Sequence, residues 1–307
     1  MIYRILIIAL IVWCSSIKLH AQQDPLFTQY MFNTLSLNPA YAGHLDQPTA
    51  NIIHRSQWID IPGAPRTQSF TMHSPLGNEA VGIGGTILRD KIGPSSQTGI
   101  FLDASYRLHL DKSRLSFGLK GGVNFYNADL LSLNPLDGSD QLFQANISSE
   151  PLVNFGFGTF WHGENWYVSA SLPKLIKNQL IDVNSPIYTG NDERRHLFLG
   201  AGVVLPINPY TKIRPSILFK AVDGSPPSLD GNVNFIFYDT FTAGVFYRSA
   251  DATGFLFQYE MNRTFKIGYA YDYIISDLGS YSGASHELLI GLNFGKSPKG
   301  DKSPRYF

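Results

Sequence analysis

The chain has 307 residues, and its 24 Lys and Arg side chains balance 24 Asp and Glu side chains. Charged residues make up only 16% of it, against about 25% in an average soluble domain, while hydrophobic residues reach 44%. The neutral balance excludes the basic field of a nucleic-acid-binding protein, and the apolar content excludes an intrinsically disordered chain. The single cysteine, Cys14, excludes a disulfide scaffold.

The first residues have the pattern of an export signal. Arg4 precedes an apolar run from Ile5 to Trp13, and Ala21 supplies a small residue at the expected cleavage point. A membrane-spanning helix needs about 20 apolar residues, so this run is too short to be one. We therefore predict a cleaved signal peptide over residues 1–21, whose removal would take Cys14 with it.

Residues 22–48 do not alternate between apolar and polar side chains. They predict a non-strand segment that plugs or caps the rest of the fold, with a short amphipathic helix over about Pro25 to Asn33. Within it, Pro39–Gly43 indicates a structural elbow in which Gly43 adopts a positive φ. Contact with a partner is the alternative interpretation of that turn.

From residue 49 onward the chain alternates with a period of two, which is typical of β-strands. In residues 264–273, one face carries Phe265, Ile267, Tyr269, Tyr271 and Tyr273. The other face carries Thr264, Lys266, Gly268, Ala270 and Asp272. Fourteen segments of this kind occur, at residues 49–58, 66–74, 79–89, 97–110, 113–126, 151–161, 164–172, 194–206, 211–221, 229–238, 240–248, 252–261, 264–273 and 285–294.

A soluble β-sandwich and a membrane β-barrel both bury such strands, and the polar faces distinguish them. Those faces are rich in Gly, Ser, Thr and Asn, as suits a crowded lumen, and carry the charges Asp103, Arg107, Lys120, Arg214, Lys266 and Asp272. Aromatic residues near segment ends fit membrane-interface girdles: Trp58, Trp161, Trp166, Tyr247, Tyr259 and Tyr273. We predict an all-β transmembrane outer-membrane barrel of about 14 antiparallel strands over residues 49–294. A multi-sheet secreted protein is the alternative.

The links between segments alternate in length. Tight turns are indicated at 111–113, 162–164, 239–240 and 262–263. Longer links are indicated at 127–150, 173–193, 222–228 and 274–284. Short turns at one end and long loops at the other are typical of outer-membrane barrels. Residues 295–307 are polar and predict a C-terminal tail outside the barrel.

Four ordered blocks of sequence carry a family resemblance. They are DPLFTQYMFN at 24–33, NPAYAG at 38–43, HRSQW at 54–58, and GAPRT at 63–67 leading to HSP at 73–75. Together they resemble the PorP/SprF family of outer-membrane proteins of the type IX secretion system in Bacteroidota. Asp60 departs from the family pattern, which has a small residue there.

The resemblance implies a barrel that exports or retains large surface proteins, such as gliding adhesins. It implies as partners one large secreted adhesin-like client and the periplasmic ring and motor components, in addition to outer-membrane lipid. It places the candidates for partner binding at Gln29, Tyr30, Asn33, Asn38, Pro39, Tyr41, Gly43, His54, Arg55, Trp58 and Pro65. His54 and Arg55 point to opposite faces of the first segment, and Arg55 has a second interpretation as the partner of an interior carboxylate such as Asp103.

No motif indicates catalysis, a cofactor or a metal. The eight histidines are scattered without metal-ligand spacing, and the glycine-rich runs 82–85 and 200–202 fall inside strands. We therefore predict a non-enzymatic protein. A rim enzyme would have to use His162, Glu164, His196 or His286. A passive channel is the main alternative function, and large residues on the luminal faces argue against it: Phe101, Phe160, Tyr167 and Phe198.

Overall fold

The computed structural model describes residues 25–77, 80–133, 145–181, 188–262 and 264–294. The predicted signal peptide and the predicted tail at 295–307 lie outside these residues. No helix in the described part of the chain is long and apolar enough to cross a membrane.

Fourteen antiparallel strands form one closed β-barrel, which confirms the predicted fold class. They are β1 (Thr49–Ser56), β2 (Arg66–Leu76), β3 (Val81–Ile92), β4 (Ser95–His109), β5 (Arg114–Ala128), β6 (Leu152–His162), β7 (Trp166–Leu172), β8 (His196–Val203), β9 (Thr211–Val222), β10 (Ser225–Phe237), β11 (Phe241–Arg248), β12 (Ala252–Met261), β13 (Phe265–Ile274) and β14 (Ser285–Asn293). Each pairs with the next, and β14 pairs with β1 to close the cylinder.

Short elements extend the barrel walls and loops. Additional strands lie at Ile147–Ser148, Gln179–Ile181, Tyr188–Asp192 and Leu205–Asn208. Single 3₁₀ turns lie at Leu130–Ser132 and Asp277–Ser280.

The two ends of the barrel differ in their connections. The outer end carries the long links 57–65, 129–151, 173–195 and 275–284, whereas the inner end carries short turns such as 163–165 and 238–240. In outer-membrane barrels the long loops face the outside of the cell and the short turns face the periplasm. The long link predicted at 222–228 is wrong, because Gly224 adopts a φ of +80° and closes a tight turn between β9 and β10.

Side chains alternate between the lumen and the outer surface, as the sequence predicts. In β14, for example, Glu287 and Leu289 are 0% exposed, whereas Leu288 is 51% exposed. Register partners Ile52, Phe70, Ile87 and Ile100 form an outward apolar row across β1 to β4. Rows of this kind supply the apolar surface that lipid covers.

Trp58 is an exception to the predicted aromatic girdle. Its φ of 49° turns the chain at the end of β1. The ring packs on a buried cluster of Phe246, Ala252 and Ile274. Because those side chains point into the barrel, Trp58 covers the outer end of the lumen instead of facing the membrane interface.

Residues 25–48, here called the luminal segment, pass through the inside of the barrel. They contain a 3₁₀ turn at Tyr30–Phe32, one α-helical turn at Thr34–Leu37 and a second 3₁₀ turn at Pro39–Tyr41. The single helix predicted over Pro25 to Asn33 is therefore wrong. Thr28 and Gln29 donate their backbone N–H groups to a side chain of the wall, described below, and Asn33 interrupts the helical turns with a φ of −135°.

Glycines in the wall let the luminal segment approach closely. A Cβ atom at Gly118 would overlap the backbone of Pro39 and Ala40, and one at Gly158 would overlap the Asn38 side chain. Nδ2 of Asn38 donates a hydrogen bond of 2.9 Å to the backbone carbonyl of Thr159 on β6. The positive φ predicted at Gly43 is confirmed at +64°.

We expect Gly118→Ala to destabilise the barrel by about 1–3 kcal/mol, because the added methyl group forces the Pro39–Tyr41 turn away from β5. The measurement is the free energy of unfolding in urea for protein refolded into lipid vesicles. Gly231→Ala is the matched control, since nothing lies within 4 Å of its Cβ position. If both substitutions lowered the free energy of unfolding equally, the close contact between Gly118 and the luminal segment would not be the cause.

Candidate functional site in the barrel lumen

A buried ion cluster in the lumen is centred on Arg55. Its side chain is 1% exposed and its Nη2 lies 2.6 Å from Oδ2 of Asp272 on β13. Its Nη1 lies 3.1 Å from Oε2 of Glu287 on β14. Both carboxylates are 0% exposed, so each of these buried charges depends on its partners.

This ion cluster also binds the luminal segment. The two carboxylate oxygens of Glu287 accept the backbone N–H groups of Thr28 at 2.8 Å and Gln29 at 2.9 Å. The Thr28 hydroxyl donates to Asp272 at 2.8 Å and accepts from Nη1 of Arg55 at 2.9 Å. The start of the segment is thus fixed to three strands of the wall close to the outer end.

The cluster extends around the barrel through a second arginine. Arg248 of β11 lies 3.0 Å from Asp230 of β10 and 3.8 Å from Asp272. It also contacts Asp251 at 3.3 Å, a residue in the turn that follows β11. The network therefore joins β10, β11, β13, β14 and β1.

Asp103 is not the partner of Arg55, so that part of the prediction is wrong. Arg55 lies directly opposite Glu287 in the register of β1 and β14. Asp103 lies directly opposite Lys120 in the register of β4 and β5, and the two form an ion pair of 3.2 Å. Strand register, which alternation alone does not reveal, decides both pairings.

The rest of the luminal segment is held by its backbone carbonyl groups. Lys120 donates to the carbonyl of Leu35 at 3.4 Å, and Ser171 donates to that of Leu37 at 2.8 Å. Nearer the inner end, Ser105 donates to the carbonyl of Ala42 at 2.7 Å. Arg107 donates to that of Gly43. Polar groups of the wall thereby satisfy backbone groups that would otherwise be buried without partners.

Polar residues of the first sequence block also pair with the wall. Oδ1 of Asn33 accepts a hydrogen bond of 2.6 Å from the hydroxyl of Thr71 on β2. The Tyr30 hydroxyl accepts one of 2.8 Å from Nδ2 of Asn232 on β10. These two contacts lie on different sides of the barrel, so the segment crosses the lumen.

Aromatic rings fill the lumen toward the inner end. His44 stacks on Tyr41 at a centroid distance of 4.6 Å and meets His162 at 4.4 Å. Phe160 stacks on Tyr167 at 5.4 Å.

Two described residues of the long link 173–195, Lys174 and Glu193, belong to a polar cluster at the outer end of the barrel. Glu193 is 8% exposed and accepts hydrogen bonds from Asn124, from Asn154 at 3.0 Å and from Asn178 at 2.7 Å. Lys174 of the same link lies 3.5 Å from Glu193. The sequence gives no signal for this cluster, because residues in a link have no alternation to place them.

The structure places most candidate partner-binding residues inside the barrel. Buried side chains among them are Gln29, Tyr30, Asn33, Asn38, Pro39, Tyr41, Arg55 and Pro65. Gly43 is also buried, Trp58 is half-buried over the lumen, and His54 is half-buried on the outer surface. Sequence reasoning missed Thr28, Asp230, Arg248 and Glu287 as members of the ion network.

The residues considered for a rim enzyme are not brought together. His162 is buried near the inner end, whereas His196 and His286 lie near the outer end, with His286 on the outer surface beside Tyr269. Glu164 is exposed in the turn between β6 and β7. The described residues contain no group of three or more His, Cys, Asp or Glu side chains that could hold a metal ion.

We expect Arg55→Met to lower the free energy of unfolding by about 3–5 kcal/mol, because it leaves Glu287 buried without its counter-charge and leaves Asp272 with the more distant Arg248 at 3.8 Å. Lys212→Met is the matched control. It removes an ion pair to Asp239 that is partly exposed at the inner end, and should cost about 1 kcal/mol or less. Urea unfolding in lipid vesicles measures both, and similar losses would contradict the central role of Arg55.

Several solved structures are similar to this chain at low sequence identity. The outer membrane protein Omp33 of Acinetobacter baumannii is 8% identical with a TM-score of 0.48, covering 82% of this chain and all of its own. A FadL homologue of Pseudomonas aeruginosa is 12% identical with a TM-score of 0.45, covering 89% of this chain and 94% of its own. The KdgM porin is 9% identical with a TM-score of 0.36, covering 80% of this chain and 99% of its own. At these scores the similarities support no argument about this chain.

No curated protein matches the sequence. The model of one protein family does match it, over residues 19–292, and that family is described as type IX secretion system membrane protein PorP/SprF. The match spans the luminal segment and nearly the whole barrel. The chain therefore belongs to the PorP/SprF family of type IX secretion system membrane proteins.

Proposed function

We propose that this barrel is a non-enzymatic component of type IX secretion that binds, exports or anchors a large secreted surface protein. The observation that carries the proposal is the filled lumen. Residues of the luminal segment such as Gln29, Leu35 and Ala42 are at most 1% exposed, and they contact the wall from the outer end to the inner end. A barrel occupied in this way is poorly suited to passive diffusion, which disfavours the channel alternative.

The candidate partner-binding residues have a structural role in this proposal. Because Asn33, Asn38 and Arg55 are buried and bonded across the lumen, they hold the luminal segment in place and reach a client only if that segment moves. Direct contact with the client falls to the long links of the outer end. Among these, the link 173–195 contacts the wall through Glu193, which accepts hydrogen bonds from Asn124 of β5 and Asn154 of β6.

Each of the other proposed partners is assigned to one surface of the barrel. The apolar outer rows face outer-membrane lipid, and the short turns of the inner end face the periplasm, where the ring and motor components of the secretion system lie. Nucleic acid, cofactors and metals have no part in the proposal.

The test is capture of the protein from outer membranes in mild detergent, using an affinity tag inserted in the link 129–151. We expect a very large secreted protein, or periplasmic ring components, to copurify at near-stoichiometric yield. A tagged, unrelated barrel from the same membrane is the control. Recovery of the bare barrel at the control's background level would contradict the proposal.

A crosslinked variant makes the same capture more informative. The side chains of Asn33 and Thr71 touch at 2.6 Å, so Asn33→Cys with Thr71→Cys places two thiols near each other, and a short bis-thiol crosslinker ties the luminal segment to β2. Equal client recovery from crosslinked and untreated protein would indicate anchoring at the outer end without movement of the segment. Loss of the client only after crosslinking would indicate that the luminal segment must move.

A further inference from the structure

Three cations lie together on the outer surface of β2 and β3, just beyond the apolar row. Arg66 and Lys91 are register partners, and Arg89 lies beside Gln68 one step nearer the membrane. Their neighbours Thr67 and Asp90 point inward and bond to each other at 2.6 Å, so alternation directs all three cations outward. All three are exposed, and none forms a salt bridge with another described residue.

The height of these cations places them at the level of lipid headgroups. Phe70 and Ile87 belong to the apolar row, and Arg89 lies two residues further along β3. Lys91 lies two residues beyond that, and each such step is about 7 Å along a strand. Because they are at the outer end, they face the leaflet that carries phosphorylated glycolipid in outer membranes.

A cavity of about 550 Å³ opens above the same cations. The first long link forms its roof, since the N–H of Gly93 donates to the carbonyl of Gly63 at 2.8 Å and the N–H of Gln57 donates to that of Pro65 at 3.0 Å. Arg66 and Lys91 line the cavity together with Ile59 and Ile61. Two unpaired cations beside apolar side chains match a headgroup in which phosphate is attached to a sugar.

We propose that this cavity binds the phosphorylated sugar headgroup of an outer-leaflet glycolipid of the lipid A type. The Arg66 guanidinium and the Lys91 ammonium donate hydrogen bonds to the phosphate, with Arg89 adding charge from below. The sugar packs beside Ile59, and the acyl chains run down the apolar row formed by Phe70 and Ile87.

Asp60 is the one acidic residue that lines the cavity, and its substitution should change the binding affinity in the direction opposite to substitution of the cations. Its carboxylate repels a phosphate bound by Arg66 and Lys91. Asp60→Ser should therefore tighten binding, whereas substitution of the cations should weaken it.

The experiment is native mass spectrometry of the full-length protein in detergent micelles, titrated with purified bisphosphorylated lipid A. We expect R66Q/K91Q to raise the dissociation constant at least about tenfold, since each basic residue near a membrane surface contributes about a factor of five. Asp60→Ser should lower it. K112Q/K212Q, which removes two positive charges at the inner end, is the matched control and should bind as the unchanged protein does.

Two further probes separate the glycolipid from other anions. With dephosphorylated lipid A as the ligand, R66Q/K91Q and K112Q/K212Q should have the same dissociation constant. Inorganic phosphate at millimolar concentration should not displace the lipid, because it lacks the apolar contacts. Equal affinity of R66Q/K91Q and K112Q/K212Q for bisphosphorylated lipid A would overturn the proposal, and so would full displacement by inorganic phosphate. The shift of the folded barrel on unheated gels confirms that each variant is folded.

Discussion

The buried ion cluster of Arg55, Asp272 and Glu287 is the interaction on which the rest of the structure depends. Both carboxylates are fully buried and pair with the guanidinium, and Glu287 also accepts the backbone N–H groups of Thr28 and Gln29. The luminal segment is therefore part of the electrostatic structure of the wall. This mutual dependence explains how residues with little regular secondary structure keep one position in a wide barrel.

Because the barrel is filled by its own chain, its lumen and its remaining surfaces have different roles. The lumen serves stability, since Lys120 and Ser171 donate hydrogen bonds to the backbone of the segment and Asn38 of the segment donates one to the backbone of the wall. Interaction with other molecules falls to the surfaces that remain, namely the outer links, the inner turns and the lipid-facing wall. This division suits the function proposed above, in which the ligands are large proteins and not small solutes.

Alternation of side chains was sufficient to predict the barrel, its fourteen strands and the direction of side chains such as Asp272 and Lys120. It could not predict the partner of Arg55, because pairing depends on register between strands distant in sequence. The helix over Pro25 to Asn33 was wrong for a related reason, since Glu287, distant in sequence, holds the backbone of Thr28 and Gln29 ahead of the first turn at Tyr30–Phe32. The alternation of side chains assigns each residue to the luminal or the outer face of its strand. The ion network inside the barrel depends in addition on which strands become neighbours when the barrel closes.

Single-channel conductance in planar lipid bilayers tests the central claim most directly. If the luminal segment fills the barrel, the purified full-length protein should carry no steady current. A variant lacking residues 25–48 should conduct, because a fourteen-stranded barrel approaches the width at which porins hold an aqueous channel. Steady, large currents of the same size from both proteins would contradict the claim and would favour a passive channel.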